Sequence, residues 1–104
     1  MVRPLKPRCI GADPEATYFK PRGIPLRKLE QIILTLDEVE ALRLKNLERL
    51  EQTTAAKRMK VSQSTFQRIL TSANRKVATA LLCGKAIKIE GGVIKRSPRR
   101  GRRP

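Results

Sequence analysis

The 104-residue sequence has room for one small domain, and its 39% hydrophobic content supports a modest core with three aromatic residues, Tyr18, Phe19 and Phe66. The 24 Lys and Arg against 9 Asp and Glu give a formal charge of +15, which points to a polyanionic partner. No run of about 18 apolar residues suggests a membrane span, and the basic N-terminus lacks the apolar centre of a secretory signal, so the chain reads as cytoplasmic.

Residues 1–28 form a basic, proline-rich arm in which Pro4, Pro7, Pro14, Pro21 and Pro25 block regular helix. The arm is expected to pack on the domain that follows. Within it ATYFK (16–20) is a candidate strand. QIIL (31–34) is a compact apolar run, either extended or the start of a helix.

A first helix is expected over 36–47. Thr35 followed three residues later by Glu38 fits a capping box, and Asp37 and Glu38 suit the positive end of the helix dipole. Leu36, Val39, Leu42 and Leu47 give it an apolar face. A shorter helix follows over 52–59, with Ala55, Ala56 and Met59 inward. A third is expected over 63–83, capped by Ser62 and stopped by a left-handed Gly84. Its apolar stripe runs through Phe66, Ile69, Leu70, Ala73, Val77 and Leu81 in steps of three and four.

KAIKIEGG (85–92) alternates like a strand, expected over about 86–90 and ended by two glycines, and ATYFK is its candidate partner. Residues 93–104, rich in Arg and Lys with little to bury, are expected to be disordered. The fold class is therefore mainly α: a small helix-turn-helix domain of three main helices over 29–92. One or two short strands come from the arm and from residues 85–90.

Charge is distributed unevenly. Glu30, Asp37, Glu38, Glu40, Glu48 and Glu51 cluster early, whereas the stretch from Gln52 to Ile89 holds no acidic residue. That stretch carries Lys57, Arg58, Lys60, Arg68, Arg75, Lys76, Lys85 and Lys88. Ordinary surfaces intersperse both signs, so a long one-sign stretch fits phosphate. There is no histidine, and Cys9 and Cys83 are far apart. No metal site, cofactor or disulfide framework is expected, and no acid–base or nucleophile constellation points to an enzyme.

The second and third helices match the spacing of a helix-turn-helix. Ala56 is small where the two helices approach, Met59 and Val61 flank the turn, and Phe66 and Ile69 pack back. Lys60 occupies the turn, where glycine is usual because the backbone is left-handed. At 100° per residue, the face opposite the apolar stripe holds Gln63, Ser64, Gln67, Arg68, Thr71 and Arg75. Gln can pair with adenine and Arg with guanine in the major groove, so Gln63, Ser64, Gln67 and Arg68 are the candidate base contacts. Lys57, Arg58, Lys60, Thr65, Arg75 and Lys76 are the candidate phosphate contacts.

The segments LTLDEVEALRL, AAKRMKVSQSTFQRIL and SANRKVATAL resemble the sigma-factor region-four type of helix-turn-helix. Together with TYFKPRGIPL and GKAIKIEGG, over roughly residues 3–92, they more closely resemble an uncharacterised prokaryotic family of DNA-binding proteins, uncharacterised protein family 0251 (domain of unknown function 134). The resemblance implies a DNA-binding regulator of transcription whose recognition helix begins at Gln63 and spans 63–75. Lys60 departs from the glycine expected there.

The expected partner is double-stranded DNA, with dimerisation of the chain or its basic arms adding affinity. Two rivals stand beside this reading. One is an RNA- or ribosome-associated basic protein. The other is a module docking on RNA polymerase through the acidic segment from Asp37 to Glu51.

Overall fold

The computed structural model describes residues 6–96. Five short strands and three α-helices follow one another along the chain. They are β1 (Arg8–Ile10), β2 (Tyr18–Phe19), β3 (Gln31–Leu34), α1 (Leu36–Leu42), α2 (Gln52–Met59), α3 (Gln63–Cys83), β4 (Ala86–Ile89) and β5 (Ile94–Arg96). A single 3-10 turn, Leu26–Lys28, interrupts the arm.

The strands make two small sheets. β2, β4 and β3 form one, with β4 central, antiparallel to β2 and parallel to β3. Tyr18 faces Lys88 and Phe19 faces Ile87, so ATYFK does pair with the segment after α3. QIIL is strand rather than helix start. Its parallel register, Ile32 with Ile87 and Leu34 with Ile89, needs the three helices as the crossover between the two strands.

The second sheet joins the two ends of the described chain. β1 pairs in parallel with β5, Arg8 opposite Ile94 and Ile10 opposite Arg96. This corrects the expectation of disorder for residues 93–96. The segment does not need a core of its own, because backbone pairing and a two-point contact of the Arg96 guanidinium with Asp13 hold it. Residues 97–104, expected to be disordered, lie outside the described residues, as do residues 1–5 of the arm.

The expected helix over 36–47 is α-helical only to Leu42 and continues as one wider π turn, Arg43–Leu47. The wider turn closes when the Glu48 amide donates to the Arg43 carbonyl at 2.8 Å. It changes the phase of the apolar face. Leu44 is fully buried and Leu47, expected inward, is 69% exposed. Arg43 clamps the turn, its guanidinium reaching Glu40 at 2.8 Å and Glu48 at 3.1 Å.

α3 is the spine of the packing. Its first half places Phe66, Ile69 and Leu70 against Ala41 and Leu44 and against Ala55, Ala56 and Met59 of α2. Its second half places Ala73 and Val77 over Leu34 and Ile89 of the sheet. The stripe then ends at Ala80, 4% exposed, rather than at Leu81, which is 76% exposed. At 3.6 residues per turn, strict steps of four drift off the buried face, and the step from Val77 to Ala80 restores it.

Candidate nucleic-acid interface

α2 ends as helices ending on glycine do. The Lys60 amide donates to the Lys57 carbonyl at 3.1 Å and the Val61 amide to the Ala56 carbonyl at 3.0 Å. That pair of bonds needs a left-handed residue at Lys60, and Lys60 has φ 59 and ψ 45. A left-handed non-glycine residue costs about 1 kcal/mol. The cost is offset locally. Met59, fully buried, anchors the residue before the turn, and Val61 packs on the same cluster after it.

α3 starts at Gln63, with Ser62 as its cap. The Ser62 hydroxyl accepts the Thr65 amide at 3.1 Å and lies 3.2 Å from the Ser64 hydroxyl. The helix front is thus capped from within, and its remaining polar side chains point outward. Gln63, Ser64, Gln67 and Arg68 are all exposed. Gln67 donates to Thr71 at 3.2 Å and Arg68 reaches Thr65 at 3.5 Å, so both lie along the helix surface. Their contacts are single and exposed, which a better partner displaces readily.

Around this front Lys57, Arg58 and Lys60 are exposed, and none has an ion pair among the described residues. Arg75 is exposed two turns further along α3, and Thr65 is half-buried beside the cap. Lys76 is different. Its ammonium donates to Glu38 and to the Ile33 carbonyl, both at 2.8 Å. Lys76 ties α3 to α1 and β3 and is not free for phosphate, although the sequence places it with the other cations.

The acidic residues of α1 complete this division of labour. Asp37, Glu38 and Glu40 are buried. Glu40 accepts the Gly11 amide at 2.8 Å and the Arg43 guanidinium at 3.0 and 2.8 Å. Asp37 faces Arg8 at 4.0 Å and takes the Thr35 hydroxyl. Glu38 takes the Thr35 amide at 2.9 Å, as the capping box requires, together with Lys76 and the Ser72 hydroxyl.

Burial alone pushes the Glu38 carboxyl up. The hydrogen bonds from Lys76, Ser72 and the Thr35 amide outweigh it and hold the group below the ordinary carboxylate value. The hydrogen bond to Glu40 likewise raises Arg43 despite its partial burial. Sequence reasoning reads these carboxylates as a helix start and a surface, and misses that they bind the arm and α3 to α1. The only signal available was the capping box.

The Glu90–Val93 link crosses the start of α1, where the Leu36 amide donates to the Gly91 carbonyl at 3.0 Å. Gly92, at φ 103, sits so close that a Cβ there would meet Asp37 at 2.8 Å. Among the described residues no cluster of three or more His, Cys, Asp or Glu is placed to hold a metal ion. Cys9 is buried and Cys83 exposed, both free thiols. No described helix is long and apolar enough to cross a membrane.

The chain is similar to a UPF0251 protein of Caldanaerobacter subterraneus, with 58% identity over 95 residues, 91% of this chain and 80% of that one. It is similar also to a UPF0251 protein of Dehalococcoides mccartyi, 56% identical over 94 residues, 90% of this chain and 80% of the relative. A UPF0251 protein of Desulforudis audaxviator is 59% identical over 92 residues, 88% of this chain, which spans only 60% of that longer relative. No solved structure matches. The model of the family described as protein of unknown function DUF134 matches residues 1–97. The chain therefore belongs to this uncharacterised family.

Proposed function

We propose that the protein is a double-stranded DNA-binding regulator of transcription, working in the cytoplasm, whose α2–turn–α3 unit is a helix-turn-helix. One observation carries the reading. The exposed front of α3, with Gln63, Ser64, Gln67 and Arg68, follows the end of α2 and a left-handed turn whose Lys57, Arg58 and Lys60 are exposed and have no ion pair among the described residues. In this arrangement the front of α3 enters the major groove, Gln and Arg read base edges, and the cations grip the flanking phosphates.

Two features favour this reading over its rivals. Asp37, Glu38 and Glu40 are engaged inside the molecule, which removes most of the acidic surface that an RNA polymerase contact would use. Phe66 is buried, and Tyr18 and Phe19 lie on β2, so the front of α3 has no aromatic to stack on splayed RNA bases. The reading is one of binding rather than catalysis, since there is no histidine and the buried carboxylates are spent on structural partners.

Selection of bound fragments from random duplex DNA tests it. Enrichment of one motif is the expected result. If Lys57, Arg58, Lys60 and Arg75 each neutralise one phosphate, log affinity falls with log salt at a slope of about −3.6. Equal binding to all duplexes, or preference for structured RNA, would overturn the reading.

A further inference from the structure

The C-terminal end of α3 carries a second apolar face that the fold does not use. Beside the buried stripe ending at Ala80, Leu81 and Leu82 are 76% and 85% exposed. With exposed Ala78 they make a stripe at steps of three and four. Leu81 also lines a groove of about 210 Å3 with Phe19, Pro21, Ala80, Gly84 and Ile87. Phe19 is itself 52% exposed. The arm closes on this end of the helix, since a Cβ on Gly84 would lie 3.8 Å from the Ile24 side chain.

Two cations line the groove and others lie on the arm. Lys20 and Lys85 line it, and Lys85 is paired with Glu30 at 2.9 Å. Lys20, Arg22, Arg27 and Lys28 are exposed on the arm, without an ion pair among the described residues. Leu26, in the same turn as Arg27 and Lys28, is 66% exposed.

We propose that this end of α3 docks an acidic protein segment that seats an apolar side chain in the groove and lays its carboxylates against the cations of the arm. The chemistry of the surface selects that occupant. The groove is smaller than the roughly 300–1,000 Å3 typical of small-molecule sites, and suits a side chain better than a ligand. Apart from Lys20 and Lys85 its lining side chains are apolar, with no amide or hydroxyl side chain to read a base edge. A second copy of a +15 chain would bring like charges together across the same rim. Leu81 and Leu82 protrude, but beside them Ala80, Gly84 and Ile87 form a recess between β2 and α3 that a flat lipid surface does not fill. The site lies at the far end of a 21-residue helix, about 30 Å from the front of α3. A partner docked there would leave that front open, and the inference does not depend on what the front binds.

The test is selection of displayed random peptides on the full-length chain, followed by titration of the enriched peptides by fluorescence anisotropy. The expected peptides are acidic and carry a large apolar residue. They should bind the Leu81→Gln, Leu82→Gln double variant at least tenfold more weakly, and the Lys57→Ala, Arg58→Ala variant as tightly as the wild type. Both leucines are exposed, so the melting temperature should not move. A Lys20→Glu, Arg22→Glu variant, which leaves α3 untouched, should weaken the same peptides by a similar factor.

No enrichment, enrichment without acidic residues, or unchanged binding to the leucine variant would overturn the proposal. So would a dimer in sedimentation that the leucine variant dissociates, or binding to phosphatidylserine vesicles lost in that variant. Those two results would assign the surface to a second copy or to lipid. Failure of the wild type to bind duplex DNA would defeat the proposed function and leave this proposal standing.

Discussion

The start of α1 carries carboxylates and the start of α3 is a polar front with cations around it, and the molecule uses the two charges in opposite ways. At α1 the carboxylates Asp37, Glu38 and Glu40 turn inward and are met by Arg8, Lys76 and Arg43. Around α3 the cations Lys57, Arg58, Lys60 and Arg68 stay exposed and unpaired among the described residues. The contrast teaches that charge here is sorted by depth. The buried negative groups hold the arm, α1 and α3 together, and in doing so keep acid away from the face that α3 presents. A modest acidic content thereby leaves a strongly basic surface.

The largest effect should come from breaking the buried side of this comparison. Glu40→Ala leaves the Gly11 amide unpaired and Arg43 with only the more exposed Glu48, and should cost about 3 kcal/mol. For a domain of this size that lowers the melting temperature by roughly 10–20 °C, readable by circular dichroism. A loss below about 0.5 kcal/mol would mean that Glu40 does not join the arm to α1.

On the exposed side, Arg68→Ala should leave stability unchanged and weaken a selected duplex by about 1–3 kcal/mol, with relaxed preference at one base pair. An unaltered preference would remove Arg68 from the base contacts. Lys57→Ala should weaken all duplexes alike and reduce the salt slope by about 0.9, measured by titration at several salt concentrations. Lys76→Ala separates the two classes. It should lower the melting temperature and leave the salt slope unchanged.

Lys60 belongs to both sides, because it bears strain and charge at once. Lys60→Gly should stabilise the fold by up to about 1 kcal/mol while weakening duplex binding, and the two effects together identify a residue kept for its charge. The smallest expected effect concerns pH. The folded-state value of Glu38 lies below its unfolded value, so its contribution is fully present above the ordinary carboxylate range. That contribution is lost as pH falls through the folded value. Glu38→Gln should therefore flatten the acid limb of stability against pH, whereas an unchanged limb would assign acid sensitivity to another carboxylate.

Much of this arrangement could be read from residue order. α2 and α3 have clean helical periods, a serine cap and a glycine stop, and each of those signals is local. Alternation marked β4 as a strand, and ATYFK stood as its candidate partner, a pairing that the register of Tyr18 with Lys88 bears out. What escaped depends on distant partners. RCI at 8–10 and IKR at 94–96 are too short to show a period, and they become strands only because the fold brings them together. The π turn escaped because Leu44 and Leu47 are both apolar, and only the wider turn decides between them. Among the candidate site residues, Lys76 looks like Arg75 in a sequence. Only the position of Glu38 and the Ile33 carbonyl shows that its charge is already engaged.

The parallel pairing of β1 with β5 has a consequence for how the molecule comes into being. Ile10, 1% exposed, sits in a strand whose only strand partner among the described residues arrives at 94–96, nearly the whole described length later. A chain emerging from the ribosome can form α1, α2 and α3 from neighbouring residues, but it cannot close this ribbon until its last described strand is free. The arm therefore waits, and the strand that packs on α1 and α2 is sealed in place last.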